Sequence, residues 1–545
     1  MKSAVAGGRR RFPRPACRYA AGVLVLFSWL GCQRQARPDK FILITLDTQR
    51  ADYISAYNPA GASTPNIDAI AREGILFRNA YSLIPITLPA HAVIFFSEPP
   101  YEIKNYNNGE KIGSRRSRPS FVNVFRKQGF ATAAFVSLGV LESRYGLAQG
   151  FETYQDSFPP DRWYLSAGEI NENVLPWLDH NAERPFFLWI HYSDPHDPYA
   201  TPSAPQDFKL FLNDALIYET SLQKYLLNQV TLNLLPGKNR LRLELQNEFD
   251  SNSDHFLGRL DLVEFSPPQG LAAPSVDYQR GWFIRRPDNV YFFMGRSEAV
   301  LDNPGRPMEV RFTFRGKPLL PISAARICYR REVEYMDAEI GRLWGKLREL
   351  QIADRTAVLI VGDHGEGLGE YHNDFGDPHV GHIHFLYDVY MKVPLIIRLP
   401  SRLKAGERDE FVSLLDIAPT VSRIMGFKPL PHFLGRDLLR SSRTESGAIF
   451  QETYRPESTR DRFGLLSPPW HLIFTPEDKK YEVYNLADDP REKADLYEAT
   501  GEFPPAVLPL KMKLEAMARE VLSARPQVQV DDKTREMLRA LGYIR

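Results

Sequence analysis

The chain has 545 residues, 43% of them hydrophobic, and a formal net charge of +1 at pH 7. A chain of this length can bury a large core and has room for about three domains. The balanced charge gives no electrostatic reason to expect a nucleic-acid partner, so none is predicted. With 42 prolines and 25 tyrosines, the composition suits a loop-rich enzyme better than a bundle of helices.

The first 31 residues have the character of a signal peptide. Arginines precede an apolar run from Tyr19 to Leu30, which is too short to span a bilayer and suits a signal sequence. The Gly31-Cys32 pair that follows resembles the end of a bacterial lipoprotein signal, in which the cysteine is lipidated. We therefore predict a signal peptide over residues 1–31, lipidation of Cys32, and an exported, periplasmic or extracellular protein held to the membrane by that lipid. The alternative is an uncleaved N-terminal anchor.

Five near-continuous apolar runs predict strands that are buried on both faces of a parallel sheet. They are Lys40–Leu46, Thr132–Val136, Pro185–Ile190, Thr356–Val361 and Val393–Leu399. Helical patterns lie between several of these runs, and the clearest has apolar residues at steps of three and four from Val333 to Leu350. Strands that alternate with helices predict an α/β fold, with a mostly parallel sheet between layers of helices.

The pattern of polar and apolar residues changes between residues 203 and 322. Polar and apolar residues alternate there, as in Leu241–Leu245 and Val310–Phe312, and turn signals separate the runs. We predict an antiparallel β-sandwich over 203–322, inserted into a catalytic domain formed by residues 39–202 and 323–426. The alternative is an elaborated edge of the main sheet. Residues 427–545 are expected to form a small α+β subdomain with a closing helix.

Polar residues follow three of the predicted strands, at the edge of the sheet where ligands gather in α/β folds. Asp47 follows the first strand, His191 the third, and Asp363-His364 the fourth. Two carboxylates and an imidazole brought together there would be costly to bury without a partner, and a divalent cation supplies one. The sequence therefore predicts a metal site with Asp47, Asp363 and His364 as ligands.

Thr87 stands in the stretch Ile86-Thr87-Leu88-Pro89-Ala90-His91, before an apolar run. One interpretation is structural, with Thr87 as a cap near the start of a helix and Pro89 in its first turn. The other places the Thr87 oxygen on the predicted cation, which would lower its pKa and make it a usable nucleophile. A set of three oxygens and one nitrogen suits calcium, manganese, magnesium or zinc.

Several motifs in this order resemble those of the sulfatase family, within the alkaline-phosphatase superfamily. They are Thr64–Asp68, Asp194–Tyr199, Asp363–Gly367, Lys392–Ile396, Leu415–Thr420 and Tyr484–Pro490. The resemblance implies a sulfatase-like fold and an enzyme that hydrolyses anionic esters with one divalent ion, calcium by family resemblance. It makes Asp47, Asp363 and His364 metal ligands and places Thr87, a further ligand, at the position of the nucleophile.

The resemblance also implies roles for other residues. His196 matches the family histidine that hydrogen-bonds the ester group, and Asn108 resembles a substrate contact in phosphonate and phosphodiester hydrolases. His382 falls where many relatives carry a lysine near the leaving group, while Arg50 and His91 flank the pocket, where each could steady the nucleophile or the anion. Four other histidines are interpreted as ordinary loop or core residues: His191, His372, His379 and His384.

Three departures from the family pattern separate this chain from a typical sulfatase. Those enzymes use a cysteine or serine that is oxidised to formylglycine, and Thr87 cannot yield that aldehyde. His91 stands where the maturation motif has arginine, and Thr48 replaces the second of two adjacent aspartates. We expect a metal-dependent hydrolase of phosphate- or sulfate-type esters on a glycan or lipid headgroup. The alternatives are a strict sulfuric ester hydrolase, a transferase of a phospho group to a lipid or glycan, and an inactive carbohydrate-binding homologue.

Overall fold

The computed structural model describes most of the chain after residue 36. The described residues are 37–112, 118–160, 162–197, 199, 207–221, 227–246, 258–285, 290–372, 378–400, 404–440, 447–454, 460–525 and 530–541. The signal peptide over residues 1–31 and the lipidation of Cys32 lie outside them and stay predictions. The chain divides into two compact units, residues 1–37 and 38–545, and every element named below belongs to the second. No helix among the described residues is both long and apolar enough to cross a bilayer.

A nine-stranded sheet forms the centre of the fold, in the order β19-β2-β20-β16-β1-β5-β3-β4, with β21 pairing to β2. Its strands are β1 (Lys40–Leu46), β2 (Ile75–Tyr81), β3 (Ala131–Phe135), β4 (Thr153–Gln155), β5 (Phe186–Tyr192), β16 (Thr356–Gly362), β19 (Lys392–Val393), β20 (Leu395–Arg398) and β21 (Gly406–Ser413). Strand β1 is parallel to both of its neighbours, β16 and β5. The prediction of a mostly parallel α/β sheet is confirmed.

Helices cover both faces of this sheet, which is why β1, β5 and β16 are buried along their whole length. The helices are α1 (Pro65–Arg72), α2 (Thr87–Phe96), α3 (Pro100–Ile103), α4 (Phe121–Lys127), α5 (Ala167–Asn181), α6 (Ile322–Glu349), α7 (Asp388–Met391), α8 (Ile417–Met425), α9 (Leu496–Thr500), α10 (Leu508–Ala524) and α11 (Asp532–Ala540). One apolar core lies on the face that carries α2, and a second lies beneath α1, α5 and α6.

Two further five-stranded sheets lie between β5 and α6 in the sequence, in the orders β12-β13-β10-β15-β8 and β11-β14-β9-β6-β7. Their strands are β6 (Asp207–Leu212), β7 (Ala215–Ser221), β8 (Leu227–Leu234), β9 (Gly237–Gln246), β10 (Gly258–Ser266), β11 (Ser275–Tyr278), β12 (Trp282–Arg285), β13 (Val290–Phe293), β14 (Arg296–Asn303) and β15 (Met308–Pro318). All their pairings are antiparallel, and residues from both sheets share one apolar core. This is a β-sandwich, as the alternating pattern predicted.

The remaining strands form a hairpin and a small sheet. The hairpin pairs β17 (Gly367–His372) with β18 (Pro378–Gly381), and the four-stranded sheet contains β22 (Ile449–Thr453), β23 (Arg462–Ser467), β24 (Trp470–Thr475) and β25 (Lys480–Asn485). Helix α10 packs against β23 and β24. The extra antiparallel sheets therefore agree with the predicted fold class.

Candidate active site

Asp47 and Asp363 lie side by side because they follow neighbouring parallel strands. Leu46 at the end of β1 pairs in register with Gly362 at the end of β16, so the next residue of each strand emerges at the same edge. Ligand atoms of Asp47, Asp363 and His364 lie within 4.8 Å of one another, and all three side chains are fully buried. The structure thus brings the three predicted metal ligands together.

Each aspartate has one carboxylate oxygen with no hydrogen bond to any described residue: Oδ1 of Asp47 and Oδ2 of Asp363. The other oxygen of Asp363 accepts backbone N–H groups from Thr48 at 3.2 Å and His364 at 2.7 Å. Burial raises the pKa of both aspartates, and the charge of Asp47 raises the pKa of Asp363 further. Two buried acceptors without donors are costly alone and fit a divalent cation.

His364 directs a nitrogen lone pair towards the same two aspartate oxygens. Its Nδ1 lies 3.1 Å from the carbonyl oxygen of Gly365, which can only accept, so the ring proton is assigned to Nδ1. Nε2 then faces Asp363 Oδ2 at 3.5 Å and Asp47 Oδ1 at 4.0 Å. Burial lowers the pKa of His364 to about 3, and this neutral form is the one that binds metal ions.

Thr87 is the first residue of α2, and its side chain points towards this cluster. Ile86 precedes the helix with extended backbone angles and is its N-cap, so the interpretation of Thr87 as the cap is wrong. The Thr87 hydroxyl oxygen lies 3.4 Å from His364 Nε2, and the hydroxyl lies close enough to the Asp47 carboxylate to favour its charged form. The structure therefore places an alcohol beside the two aspartates and the histidine.

His91 lies one turn further along α2 and contacts the backbone of Thr87 rather than its hydroxyl. Its Nδ1 lies 2.7 Å from the Thr87 carbonyl oxygen and must donate, so Nε2 accepts from the Thr45 hydroxyl at 3.0 Å. The Thr45 hydroxyl in turn accepts from Trp189 Nε1 at 2.9 Å. His91, His191 and Asp363 also meet the spacing of a metal cluster, but both His91 nitrogens already serve hydrogen bonds.

His196 and His382 lie next to each other at the margin of the cluster. Their ring centres are 4.8 Å apart, and the His382 ring is 4.6 Å from that of His364. His382 Nδ1 lies 2.8 Å from a carboxylate oxygen of Glu366, and the other Glu366 oxygen accepts from Tyr199 at 2.7 Å. Burial lowers the pKa of His382 to about 4, so its ring is uncharged at neutral pH.

Asn108 is held against the start of α2 by its side-chain oxygen, which accepts the Leu88 N–H at 2.8 Å. Its amide nitrogen is buried and has no partner within the described structure. The next residue, Gly109, has a φ of +84°, and an added Cβ there would lie 2.6 Å from the Thr534 side chain. Helix α11 therefore packs directly behind the loop that carries Asn108.

Arg50 is buried three residues after Asp47, with its guanidinium already engaged. It donates to both oxygens of Asp52, to Glu370 at 2.6 Å and to the Glu366 carbonyl at 3.2 Å. It also lines a cleft of about 860 Å³ whose described walls do not include the metal cluster. A direct role of Arg50 on the nucleophile or anion stays a prediction.

Among the histidines interpreted as ordinary, His191 is the one that the structure brings to the metal ligands. Its Nε2 lies 3.2 Å from Asp47 Oδ2, and both side chains are fully buried. The other three lie on or beside the β17–β18 hairpin: His372 is exposed at the end of β17, and the His379 ring contacts Tyr390 and the His384 ring. The sequence signal for His191 was a polar ring at the end of an otherwise apolar strand beside β1.

Comparison with known proteins assigns the chain to a class of hydrolases. The Sulfatase family profile matches residues 39–427, and a profile described as N-sulphoglucosamine sulphohydrolase, C-terminal, matches residues 381–520. The chain belongs to the sulfatase family. Enzymes of this family use a divalent metal ion, and the Asp47–Asp363–His364 cluster is a possible site for it.

The similar proteins include sulfatases and a phosphonate hydrolase. N-acetylglucosamine-6-O-sulfatase of Bacteroides thetaiotaomicron is 22% identical over 490 residues, covering 85% of this chain and 83% of the relative. Human iduronate 2-sulfatase is 24% identical over 485 residues, covering 79% of each chain. The crystal structure of the phosphonate monoester hydrolase of Agrobacterium radiobacter has a TM-score of 0.56 at 18% identity, covering 90% of this chain and 95% of that one.

Proposed function

We propose that this sulfatase-family protein hydrolyses phosphate-type esters, with the Thr87 hydroxyl as its nucleophile. The observation that carries the proposal is the position of the Thr87 oxygen, 3.4 Å from His364 Nε2 and beside Asp47. A cation held by Asp47, Asp363 and His364 would therefore also have the Thr87 oxygen as a ligand. Bound calcium, manganese, magnesium or zinc would lower the pKa of the hydroxyl and stabilise charge on the ester oxygens.

The residues of the chain supply the positioning and the proton transfers. Asn108 donates its buried amide N–H to an ester oxygen, and His196 hydrogen-bonds the ester group. The Thr87 hydroxyl passes its proton to His196 or His382, and its oxygen forms a bond to phosphorus as the bond to the leaving group breaks. The imidazole then gives that proton to the leaving oxygen. Water then attacks phosphorus and gives a proton to one of these imidazoles, which passes it to the Thr87 oxygen as the bond between Thr87 and phosphorus breaks.

The chemistry of threonine favours phosphate over sulfate in this scheme. A formylglycine hydrate has two hydroxyls, and after sulfuryl transfer the second one can expel the group by elimination. Threonine has a single hydroxyl, so its adduct is cleared only by water attacking phosphorus or sulfur directly. Phosphoryl adducts have that route, whereas a sulfuryl adduct would accumulate on Thr87.

The natural substrate is proposed to be an anionic ester carried by a glycan or a lipid headgroup. Relatives named for sulfated sugars support the glycan, as does a structural neighbour solved in complex with its substrate, D-glucosamine-2-N,6-O-disulfate. We further propose that the protein is exported and attached to the membrane through Cys32. A Cys32→Ser variant should then move from the membrane fraction to the soluble fraction of cells.

The test compares matched 4-nitrophenyl esters: a phosphate monoester, a phosphodiester, a phosphonate and a sulfate, with metal content measured on the same sample. We expect multiple turnovers on at least one phosphate-type ester at a rate above that on the sulfate. Thr87→Ala should abolish turnover of every ester, Thr87→Ser should retain part of it, and Thr500→Ala on exposed α9 should match the wild type. Efficient sulfate turnover by unmodified protein would overturn the proposal.

A further inference from the structure

His191 is a fully buried histidine beside the metal ligands, and the proposed function assigns it no role. It lies on β5, in register with Thr45 of β1. Thr45 precedes Asp47 by two residues. Its Nε2 is 3.2 Å from Asp47 Oδ2. The ring also packs edge-on against the ring of His91, with the centres 5.0 Å apart, so its orientation is fixed from two sides.

The hydrogen bonds of His191 determine which of its nitrogens carries the proton. Asp47 Oδ2, a carboxylate oxygen that accepts, lies 3.2 Å from Nε2, and the backbone N–H of Ser137, which can only donate, points at Nδ1 from 3.4 Å. Nδ1 therefore accepts. A neutral imidazole has a single N–H, so that proton is on Nε2 and is donated to Asp47.

The two aspartates are thus held by different means. Asp363 has one oxygen fixed by two backbone N–H groups, whereas the equivalent hydrogen bond to Asp47 comes from the His191 side chain. In both cases the second oxygen is left without a protein donor in the described residues. One oxygen of each carboxylate is therefore occupied by the protein, and the other is directed at the cation.

We propose that His191 is a positioning residue of the metal site: its Nε2–H fixes Oδ2 of Asp47 and so aims Oδ1 at the cation. The proposal rests on the proposed function only for the presence of a metal at this cluster, and not on the ester hydrolysed. Such outer partners of metal ligands orient the ligand and raise its affinity.

The test measures Mn²⁺ binding to metal-free protein by calorimetry, which requires no substrate. His191→Leu removes the donor, and we expect Mn²⁺ affinity to fall by about 10–100-fold. In His191→Gln the amide nitrogen can reach the position of Nε2, so affinity should remain within about threefold of the wild type. His379→Leu, a buried histidine at the β17–β18 hairpin, is the matched control and should bind Mn²⁺ as the wild type does.

A folded His191→Leu variant with wild-type Mn²⁺ affinity would overturn the proposal, as would equal losses in the Leu and Gln variants. If the Leu variant does not fold, ¹⁵N-histidine NMR of the wild-type protein decides instead. A proton on Nε2 of His191 supports the proposal, and a proton on Nδ1 contradicts it. Unchanged Mn²⁺ affinity in Asp363→Asn would show instead that the metal does not bind at this cluster, and the proposed function would then fail.

Discussion

Arg50 and Asp52 form a bidentate ion pair close to the metal cluster, with Nε 2.9 Å from Oδ1 and Nη2 2.8 Å from Oδ2. Glu370 binds the remaining terminal nitrogen, Nη1, at 2.6 Å. This geometry needs the planar fork of a guanidinium, which a lysine ammonium cannot reproduce. It indicates that Arg50 fixes the loop after β1 relative to the β17–β18 hairpin.

The first prediction concerns Arg50→Lys. Because the arginine donors already serve Asp52, Glu370 and a backbone carbonyl, we expect a lower melting temperature and a KM for 4-nitrophenyl phosphate within about threefold of the wild type. Arg78→Lys, which changes a more exposed pair with Glu407, is the control. A tenfold or larger rise in KM, about 1.4 kcal/mol, in a folded Arg50→Lys protein would instead place the guanidinium on the substrate anion.

The second prediction concerns Asp363→Asn, which removes one of the two charges that a cation would balance. We expect loss of the bound metal and a fall in ester hydrolysis of more than about 100-fold, because the amide binds divalent ions less well than a carboxylate. The circular dichroism spectrum should be unchanged, since the large core does not depend on this side chain. Asp354→Asn, at a side chain that is 96% exposed, should leave both quantities unchanged. Full metal content and rate in Asp363→Asn would refute the site.

The third prediction concerns Gly109→Ala, behind Asn108. The substitution forces a left-handed backbone on alanine, which costs about 1–2 kcal/mol, and brings its Cβ against Thr534. We expect the loop to shift, so that KM for a phosphate ester rises. Gly237→Ala in the sandwich has nearly the same φ, +86°, with nothing within 4 Å of the added Cβ. It therefore measures the effect of the left-handed backbone alone, without a contact like the one with Thr534. Equal KM values in the two variants would show that α11 does not support Asn108.

The fourth prediction concerns pH and Glu452, a fully buried carboxyl that contacts Tyr101 N–H and the Tyr454 hydroxyl. Burial raises the pKa of Glu452 to about 8. Its protonated form is therefore favoured in the folded state, and this contribution to stability is lost as pH rises from about 4.5 through about 8. Glu452→Gln mimics the protonated form, so it should raise the melting temperature at pH 9 and change it little at pH 4. Glu183→Gln, at an exposed position, should show no such pH dependence.

The strands of the central sheet could be predicted because each is an apolar run that ends at a polar residue. The same feature located Asp47, Asp363 and His364, since parallel strands bring their carboxyl ends to one edge. The prediction of a single strand from Val393 to Leu399 was wrong. Pro394 has no N–H to donate, and the chain forms β19 and β20 on either side of it.

The partners that fix the site side chains could not be predicted from the sequence. The role of His191 depends on Ser137 and Asp47, which come from other strands and loops of the fold. Likewise, the hydroxyls of Tyr145 and Thr534 lie 3.1 Å apart although 389 positions separate them. Hydrophobic periodicity reports which face of an element is buried, and it carries no information about which distant polar group will meet it there.

The packing of α11 behind Asn108 also has a consequence for the order in which the protein matures. Asp47, Thr87 and Asn108 leave the ribosome early, and Asp363 and His364 follow, whereas the wall behind Gly109 is translated only with Thr534. A nascent chain of 500 residues would already carry every proposed ligand and the nucleophile, yet it would lack the helix that packs behind its Asn108 loop. The packing behind the Asn108 loop is therefore completed only when the last described helix has been synthesised.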